Sequence, residues 1–580
     1  MPAAAPLPLE PQLETALAGH ITVPEDWMPA TQVRPLIFGD PANVWLEHHG
    51  VSHGLEPDHS PYDFLEFIAT KSRQFQAKWI ERLAPETIPV CTQAYEVRSS
   101  DKIRRTVELM QMGVPVISQA ALWWAPERIY GTADILIHTS WIAEHFPNLI
   151  SDDEVDADAR YLRNGKRGHY VVMDVKFTTK LTEPDKATDL ANDSAQVRLY
   201  SFMLGNLQGY MPRSAFLITR DRLLQPLPVA VSSACDAPLD RDLAALRDTY
   251  LDIKLNGAGF LPWTHAMTKS DFRHDDERWS TAKKIIAFDK VPGRDPAILL
   301  RVTESVKVQL AEMGFKTLNS MLSDDPRKVP LEKCKGIGKA IATQQRAILQ
   351  ANRSGCPVPP QRAAVPQKKE HEFFVDFEYL TNLNVDFDRD WPALKGREMI
   401  FMIGVGSLLD GQWSFRAFTA AAETAEEEWL MFERFLGFLQ ERTDGRLTDK
   451  AASALYHWSS AEVWQSTRAA DRQNLPAIHP LRNLPWLDLQ KPFLNGPCAL
   501  PGAWDFGLKP VAKALGGLDA DLDPRWPVGI DEGLRAMVMG WKAYEKPAPL
   551  ETAEMATICD YLEADCRALW SALRFLRRYQ

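Results

Sequence analysis

From Ser354 to Glu370 the sequence reads SGCPVPPQRAAVPQKKE, seventeen residues with four prolines and no amphipathic period. Proline fixes φ and lacks a backbone donor, so neither a helix nor a central strand continues through such a stretch. The segment is read as an interdomain linker, with folded parts on either side of it. Before it lie a Pro/Ala-rich start expected to be an extended arm (1–35), a mixed α/β region (36–265) and a helical region (266–353). After it (371–580), strand-like runs at Phe373–Phe377 and Met399–Val405 precede alternating helices and loops, and a helix is expected from about Ala553 to Arg578. At 580 residues, the chain is long enough for about four domains. No internal repeat signals a solenoid.

Composition narrows the class. With 45% hydrophobic and 25% charged residues, the chain is an ordinary globular one, and wholesale disorder, collagen and coiled coil are excluded. The 77 acidic against 66 basic residues give a net charge of −11, which excludes a protein coated in positive charge. Basic residues are nevertheless concentrated at Lys102–Arg105, Arg160–Arg167 and Lys333–Lys339. The seven cysteines form no Cys-x-x-Cys pair, so neither a zinc site nor an iron-sulfur cluster is expected. An odd cysteine count, no basic leader and no apolar run of the ~20 residues that span a bilayer lead us to expect a cytoplasmic protein with no membrane role.

Two constellations carry chemistry. In the first, Gly131-Thr-Ala-Asp134 leads into an apolar run, and a second strand-like run ends in Asp174-Val-Lys176. Strand alternation puts Asp174 and Lys176 on one face. Carboxylates from neighbouring strands make an oxygen-rich site for Mg²⁺ or Mn²⁺, and a lysine beside them can orient a water or neutralise charge on a phosphate. Gln196 and Tyr200 lie one helical turn apart and can brace that site. The ordered set G-x-x-D, D-x-K and Q-x-x-x-Y resembles the PD-(D/E)xK superfamily and, within it, the RecB-like nucleases. That resemblance implies a restriction-endonuclease-like core and adds an acidic or histidine ligand from an N-terminal helix. Here Gln76 stands where an acid is expected, and Glu81 is the substitute.

In the second constellation, Phe373-Phe-Val-Asp376-Phe-Glu378 is an apolar strand with carboxylates at i and i+2, hence on one face. Crowded buried carboxylates repel unless a cation sits among them. Tyr561 and Asp565, at i and i+4, share a helix face near the C-terminus. An aspartate there completes a two-metal site, and the tyrosine can position a water. The D-x-E and Y-x-x-x-D pair resembles the DEDD exonucleases of the YprB-type branch, over about 371–578, and implies a ribonuclease H-like mixed sheet with flanking helices. The family's middle aspartate is replaced by Glu462 in Tyr456-His-Trp-Ser-Ser-Ala-Glu462, and Asp488 in Trp486-Leu-Asp-Leu489 is a secondary candidate.

Between the two, Lys335-Gly336-Ile-Gly338-Lys339 resembles a helix-hairpin-helix turn. Its glycines allow close backbone approach, and the amides opening the next helix, with the two lysines, can hold a phosphate. The whole arrangement resembles bacterial RecB-like nucleases fused to YprB-type domains. It implies a divalent-metal-dependent nuclease acting on nucleic acid, DNA in preference to RNA, single-stranded or end-containing, with two active sites. A helicase or another repair or defence protein is the partner the family suggests. Two alternatives stand beside this reading: a nucleic-acid-binding scaffold with one or both centres inactive, or an RNA 3′–5′ exonuclease using only the C-terminal centre.

Overall fold

The structure is a computed structural model and describes residues 11–33, 36, 41–58, 62–83, 87, 89–162, 167–177, 187–220, 225–228, 237–257, 278–389, 396, 398–527 and 533–579. Residues 163–166 of the basic run Arg160–Arg167 lie outside the described residues. The chain is multidomain α/β with two mixed sheets and divides into two compact units. The first comprises Met1–Glu56, Ile68–Ser270 and Asp386–Leu394; the second comprises Pro57–Phe67, Asp271–Val385 and Lys395–Gln580. Among the described residues, no helix is long and apolar enough to cross a membrane.

The sheet of the first unit contains β1 (Met28–Pro29), β2 (Val116–Trp124), β3 (Ile129–His138), β4 (Tyr170–Val175), β5 (Ser214–Ile218) and β6 (Gln225–Pro228). Its order is β1-β3-β4-β5-β6, with β2 also paired to β3. β4, YVVMDV, is buried at every position, as expected of a strand covered on both faces. Helices α1 (Pro11–Leu17), α2 (Phe64–Leu83), α3 (Ser100–Gln111), α4 (Ala187–Gln208) and α5 (Ala237–Leu255) accompany this sheet. The last residue of α4 fastens the helix to β4. The Tyr170 N–H donates to Gln208 Oε1, and Gln208 Nε2 donates back to the Tyr170 carbonyl, both at 2.9 Å. A side-chain amide thus serves the strand end as a neighbouring backbone would, and it sets the height of α4 over the sheet.

In the second unit a helical block, α6 (Glu304–Glu312), α7 (Leu318–Ser323) and α8 (Lys339–Ser354), precedes the sheet. The strands are β7 (His371–Leu380), β8 (Met399–Leu409), β9 (Gln412–Thr419), β10 (Ser453–His457) and β11 (Trp486–Asp488), in the order β11-β10-β7-β8-β9. β7, β8 and β9 are antiparallel neighbours, while β10 runs parallel to both β7 and β11. The β8–β9 hairpin closes on Asp410-Gly411, both at positive φ (49° and 80°), the conformation that a two-residue Asp-Gly turn supplies. Helices α9 (Ala425–Arg442), α10 (Ala461–Arg472), α11 (Leu508–Leu518), α12 (Gly533–Tyr544) and α13 (Ala553–Arg577) complete the unit.

Side-chain alternation along β7 sorts two apolar clusters. Phe373, Val375 and Phe377 join Ile403 and Phe435, whereas Phe374 joins Leu569 of α13. Asp376 and Glu378 share the parity of Phe374, so they stand on the face that α13 covers.

Three of the expected divisions differ from the packing. Segment 354–370 is not a free linker: Val358 exchanges backbone hydrogen bonds with Ala499 (2.9 and 3.2 Å), Val365 is buried, and Arg577 Nε donates to the Pro366 carbonyl at 3.3 Å. The prolines exclude helix, as expected, but an extended strap needs no amphipathic period, only a few apolar anchors. Nor does the block 266–353 stand alone. Leu310, Leu318 and Ile348 lie in one apolar cluster with Phe374, Tyr456 and Leu569, since three short helices cannot bury a core by themselves. The expected arm 1–35 is also partly folded. Leu13, Ala16 and Leu17 of α1 are buried, and β1 pairs with β3.

Candidate metal centres

The first centre lies on β3 and β4, under α4. Asp134 Oδ2 accepts the Val175 N–H at 2.9 Å, which draws its carboxyl towards Asp174 on the next strand. Lys176 Nζ lies 2.8 Å from Asp174 Oδ2 and donates to Gln196 Oε1 at 3.4 Å; Gln196 Nε2 then donates to the Tyr200 hydroxyl at 2.8 Å. Asp174, Lys176, Gln196 and Tyr200 therefore form one continuous polar chain. Tyr200 is buried, and its ring covers Gly131, where an added Cβ would lie 2.7 Å from Tyr200 Cε1. The glycine of G-x-x-D is thus the seat of the tyrosine of Q-x-x-x-Y. Burial and the neighbouring Asp174 push the Asp134 carboxyl well above the usual carboxylate range. Asp174 Oδ2, in a residue 1% exposed, lies within reach of Lys176 yet makes no properly formed hydrogen bond.

Glu81 does not join this centre, contrary to expectation. Its side chain is 70% exposed and pairs with Lys78 at 3.6 Å, one turn back on α2. Helical spacing placed an acid on the right helix but not on the face turned to the sheet, and Gln76 lies half-buried on the same helix.

The second centre lies on β7 and α13. Among the described residues, Asp376, Glu378 and Asp565 are the acidic trio that brings one ligand oxygen each within 4.8 Å of the others. Glu462, in the first turn of α10, is buried, and its carboxyl group stands close enough to that of Asp376 to raise it. Burial, together with Asp565 and Glu462, pushes Asp376 well above the normal range, and burial with Asp565 does the same to Glu378. Burial likewise raises Asp565 to about 6, against the opposing pull of Lys509 and of the Trp526 indole, which donates to Asp565 Oδ1 at 2.9 Å. Burial and Asp565 hold the Tyr561 phenol protonated, pushed well up, with its hydroxyl bonded to Asp565. Lys509 Nζ stands 4.6 Å from the centre of the Tyr561 ring.

Asp488 belongs to the frame of this centre rather than to its acidic cluster. Its Oδ1 accepts the N–H groups of Ser459 (3.1 Å) and Gln490 (2.9 Å). Ser459 has a left-handed φ of 68°, so Asp488 holds the tight turn that delivers Glu462 from the end of β10.

These donor sets fit a hard divalent cation. They consist of carboxylate oxygens, and the buried Asp174 Oδ2 and Glu462 Oε2 make no well-formed hydrogen bond, each facing a nitrogen, Lys176 Nζ at 2.8 Å and His457 Nδ1 at 3.3 Å. Lys509, Trp526 and His457 have no counterpart in the expected residues. No spacing rule ties Lys509 or Trp526 to Asp565, because only the packing of α11 and its following loop on α13 brings them there. His457 carried a weak signal, being a polar residue at the end of an apolar strand five residues before Glu462.

The hairpin residues belong to the helical block of the second unit. Gly336 has a φ of 98° and Gly338 caps α8, with open space where either Cβ would be, and Lys335 and Lys339 are exposed beside them. Ile337 plugs the turn into the core, and Gln309 Oε1 accepts the Lys335 N–H at 2.7 Å. A short 3-10 turn at Leu331–Lys333, in place of a full helix, leads into this loop. Comparison of the chain with protein-family models, with curated proteins and with solved structures finds no match.

Proposed function

We propose that the protein is a divalent-metal-dependent nuclease that hydrolyses phosphodiester bonds, with DNA as the preferred substrate and Mg²⁺ or Mn²⁺ as cofactor. The observation that carries this reading is the acidic trio of half-buried Asp376 with buried Glu378 and Asp565, joined by buried Glu462. Four carboxylates packed this closely are unfavourable as bare anions. A divalent cation held among them would neutralise them and draw charge from a phosphate in the transition state. The chain's own groups complete the site. The protonated Tyr561 hydroxyl fixes one Asp565 oxygen, the Trp526 indole donates to Asp565, and the Lys509 ammonium offers positive charge next to the acids. A mixed sheet with flanking helices and the metal-ligand candidates on a central strand agrees with a ribonuclease H-like domain of the DEDD type.

The first centre supports a second hydrolytic site of PD-(D/E)xK type, in which Asp134 and Asp174 hold the cation and Lys176 faces the phosphate. With Glu81 turned away, however, two acids are found there among the described residues, against four in the second centre. This favours a second reading for the first unit alone, in which it binds nucleic acid without cleaving it. The Lys335–Lys339 turn suits a phosphate, held by its exposed lysines and the amides opening α8.

Cleavage of single-stranded DNA, duplex DNA and RNA with Mg²⁺ or Mn²⁺ tests the proposal. Asp376→Ala should abolish cleavage by the second centre, and Lys176→Ala should remove whatever the first contributes. A wild-type chain that cleaves none of the three substrates refutes the nuclease reading. Full activity of Lys176→Ala with none in Asp376→Ala makes the first unit a binding element.

A further inference from the structure

His457 ends β10, five residues before Glu462, and its Nδ1 faces Glu462 Oε2 at 3.3 Å. Both side chains are more than nine-tenths buried, at 4% and 6% exposure, and neither of these two atoms makes a properly formed hydrogen bond. Leaving such atoms unmade in a protein interior is costly, so their juxtaposition calls for a role. The backbone around them is shaped for it. Ser459 adopts a left-handed φ, its N–H is held by Asp488 Oδ1, and Trp458 Nε1 donates to the Phe506 carbonyl at 3.0 Å, which fixes the turn between the two residues. The imidazole is further set by an edge-on contact with Trp486, centroids 5.4 Å apart.

Glu462 has one more rotatable bond than an aspartate, and from the first turn of a helix a free glutamate would sample several rotamers. Its carboxyl group neighbours that of Asp376. An N–H at Nδ1 turned onto Oε2 would fix the carboxylate plane and keep it aimed at the acidic cluster. We propose that His457 is a positioning residue: it holds Glu462 by Oε2 so that this longer acid serves as a cation ligand beside Asp376. The inference rests on the metal-centre reading above, but not on cleavage itself. Partners of this kind, one step removed from the cation, typically set metal affinity by about 10–100-fold.

The test is Mn²⁺ binding to the full chain, by titration calorimetry and by the Mn²⁺-induced rise in Tm, for wild type, His457→Ala, His457→Asn, Glu462→Ala and the double variant His457→Ala/Glu462→Ala. His457→Ala should weaken Mn²⁺ binding by about 10-fold or more. His457→Asn, whose amide nitrogen can take the place of Nδ1, should restore most of that loss. The double variant should bind no worse than Glu462→Ala, because the histidine acts through the glutamate. If His457→Ala does not fold, His457→Asn and His457→Gln replace it, with Gln expected to bind weakly since its amide reaches the Nε2 place instead. Wild-type affinity in His457→Ala, equal affinities for Asn and Gln, losses that add in full, or no Mn²⁺ binding by the wild type would each overturn the proposal. Mn²⁺ binding that depends on His457, in a protein that cleaves nothing, upholds the pair and refutes only the nuclease reading.

Discussion

Asp565 shows how a site built for charge is written into stability. Its carboxyl is raised from 3.8 to about 6, chiefly by burial, so the folded protein holds that proton more tightly than the unfolded chain. The stabilisation from this proton is therefore complete below about pH 4 and is lost as the pH rises through 6. A rise of this size corresponds to roughly 3 kcal/mol. In metal-free protein, the Tm of Asp565→Asn relative to wild type should therefore climb between pH 4 and 7, and saturating Mn²⁺ should restore the wild type but not the variant. A flat difference across that range, measured by thermal unfolding in chelator, would contradict the assignment. At this scale the sequence was informative where one element carried two groups. Asp376 and Glu378 on one strand, and Tyr561 and Asp565 on one helix, can be read from periods of two and four. Glu81 shows the limit of such reasoning, because a helix offers an acid several faces and only tertiary packing selects one. Lys509 and Trp526 reach Asp565 across more than thirty residues of intervening chain, a distance that no local pattern spans.

At the scale of elements, the fit of α4 over β3 and β4 decides whether the first centre is assembled. Two contacts set that fit, the Gln208 amide on the Tyr170 backbone and the Tyr200 ring on Gly131. A methyl group at residue 131 cannot coexist with the Tyr200 ring in its present place. Gly131→Ala should destabilise the protein by about 1–3 kcal/mol in denaturant unfolding, as overpacking does, and should release Gln196 from Lys176 by moving the tyrosine. An unchanged midpoint would mean that the ring yields freely and does not brace the site. Strands and long helices were legible in outline. The strand expected at Phe373–Phe377 extends over His371–Leu380, and the closing helix runs Ala553–Arg577 against the expected Ala553–Arg578. The strap 354–370 was misjudged because proline content reports what a segment cannot form, whereas its anchoring depends on Val358 and Val365 finding partners elsewhere.

At the scale of the whole molecule, net charge turned out to be a poor guide to local charge. Lys102 is tied to Glu96 at 2.9 Å, and Arg105 to Glu108 at 3.1 Å, so the basic run at 102–105 is largely neutralised within its own unit. Lys335 and Lys339, by contrast, stay exposed. The shared core of the helical block and the second sheet makes a firmer statement. A fragment beginning at residue 371 would lack the partners of Phe374, Tyr456 and Leu569, and should unfold at much lower denaturant than one beginning at residue 278. Equal midpoints for the two fragments would show that the block is dispensable.

That shared core also has a schedule. Leu310, Leu318 and Ile348 leave the ribosome about 220 residues or more ahead of Leu569 and Leu573, which close the same cluster. At translation speeds of about 5–20 residues per second, the helical block waits on the order of ten seconds or more with its apolar face uncovered. The nascent chain therefore has a long interval in which it needs protection, and loss of the helix that carries Leu569 and Leu573 would leave the Lys335–Lys339 turn as unfinished as the acidic cluster.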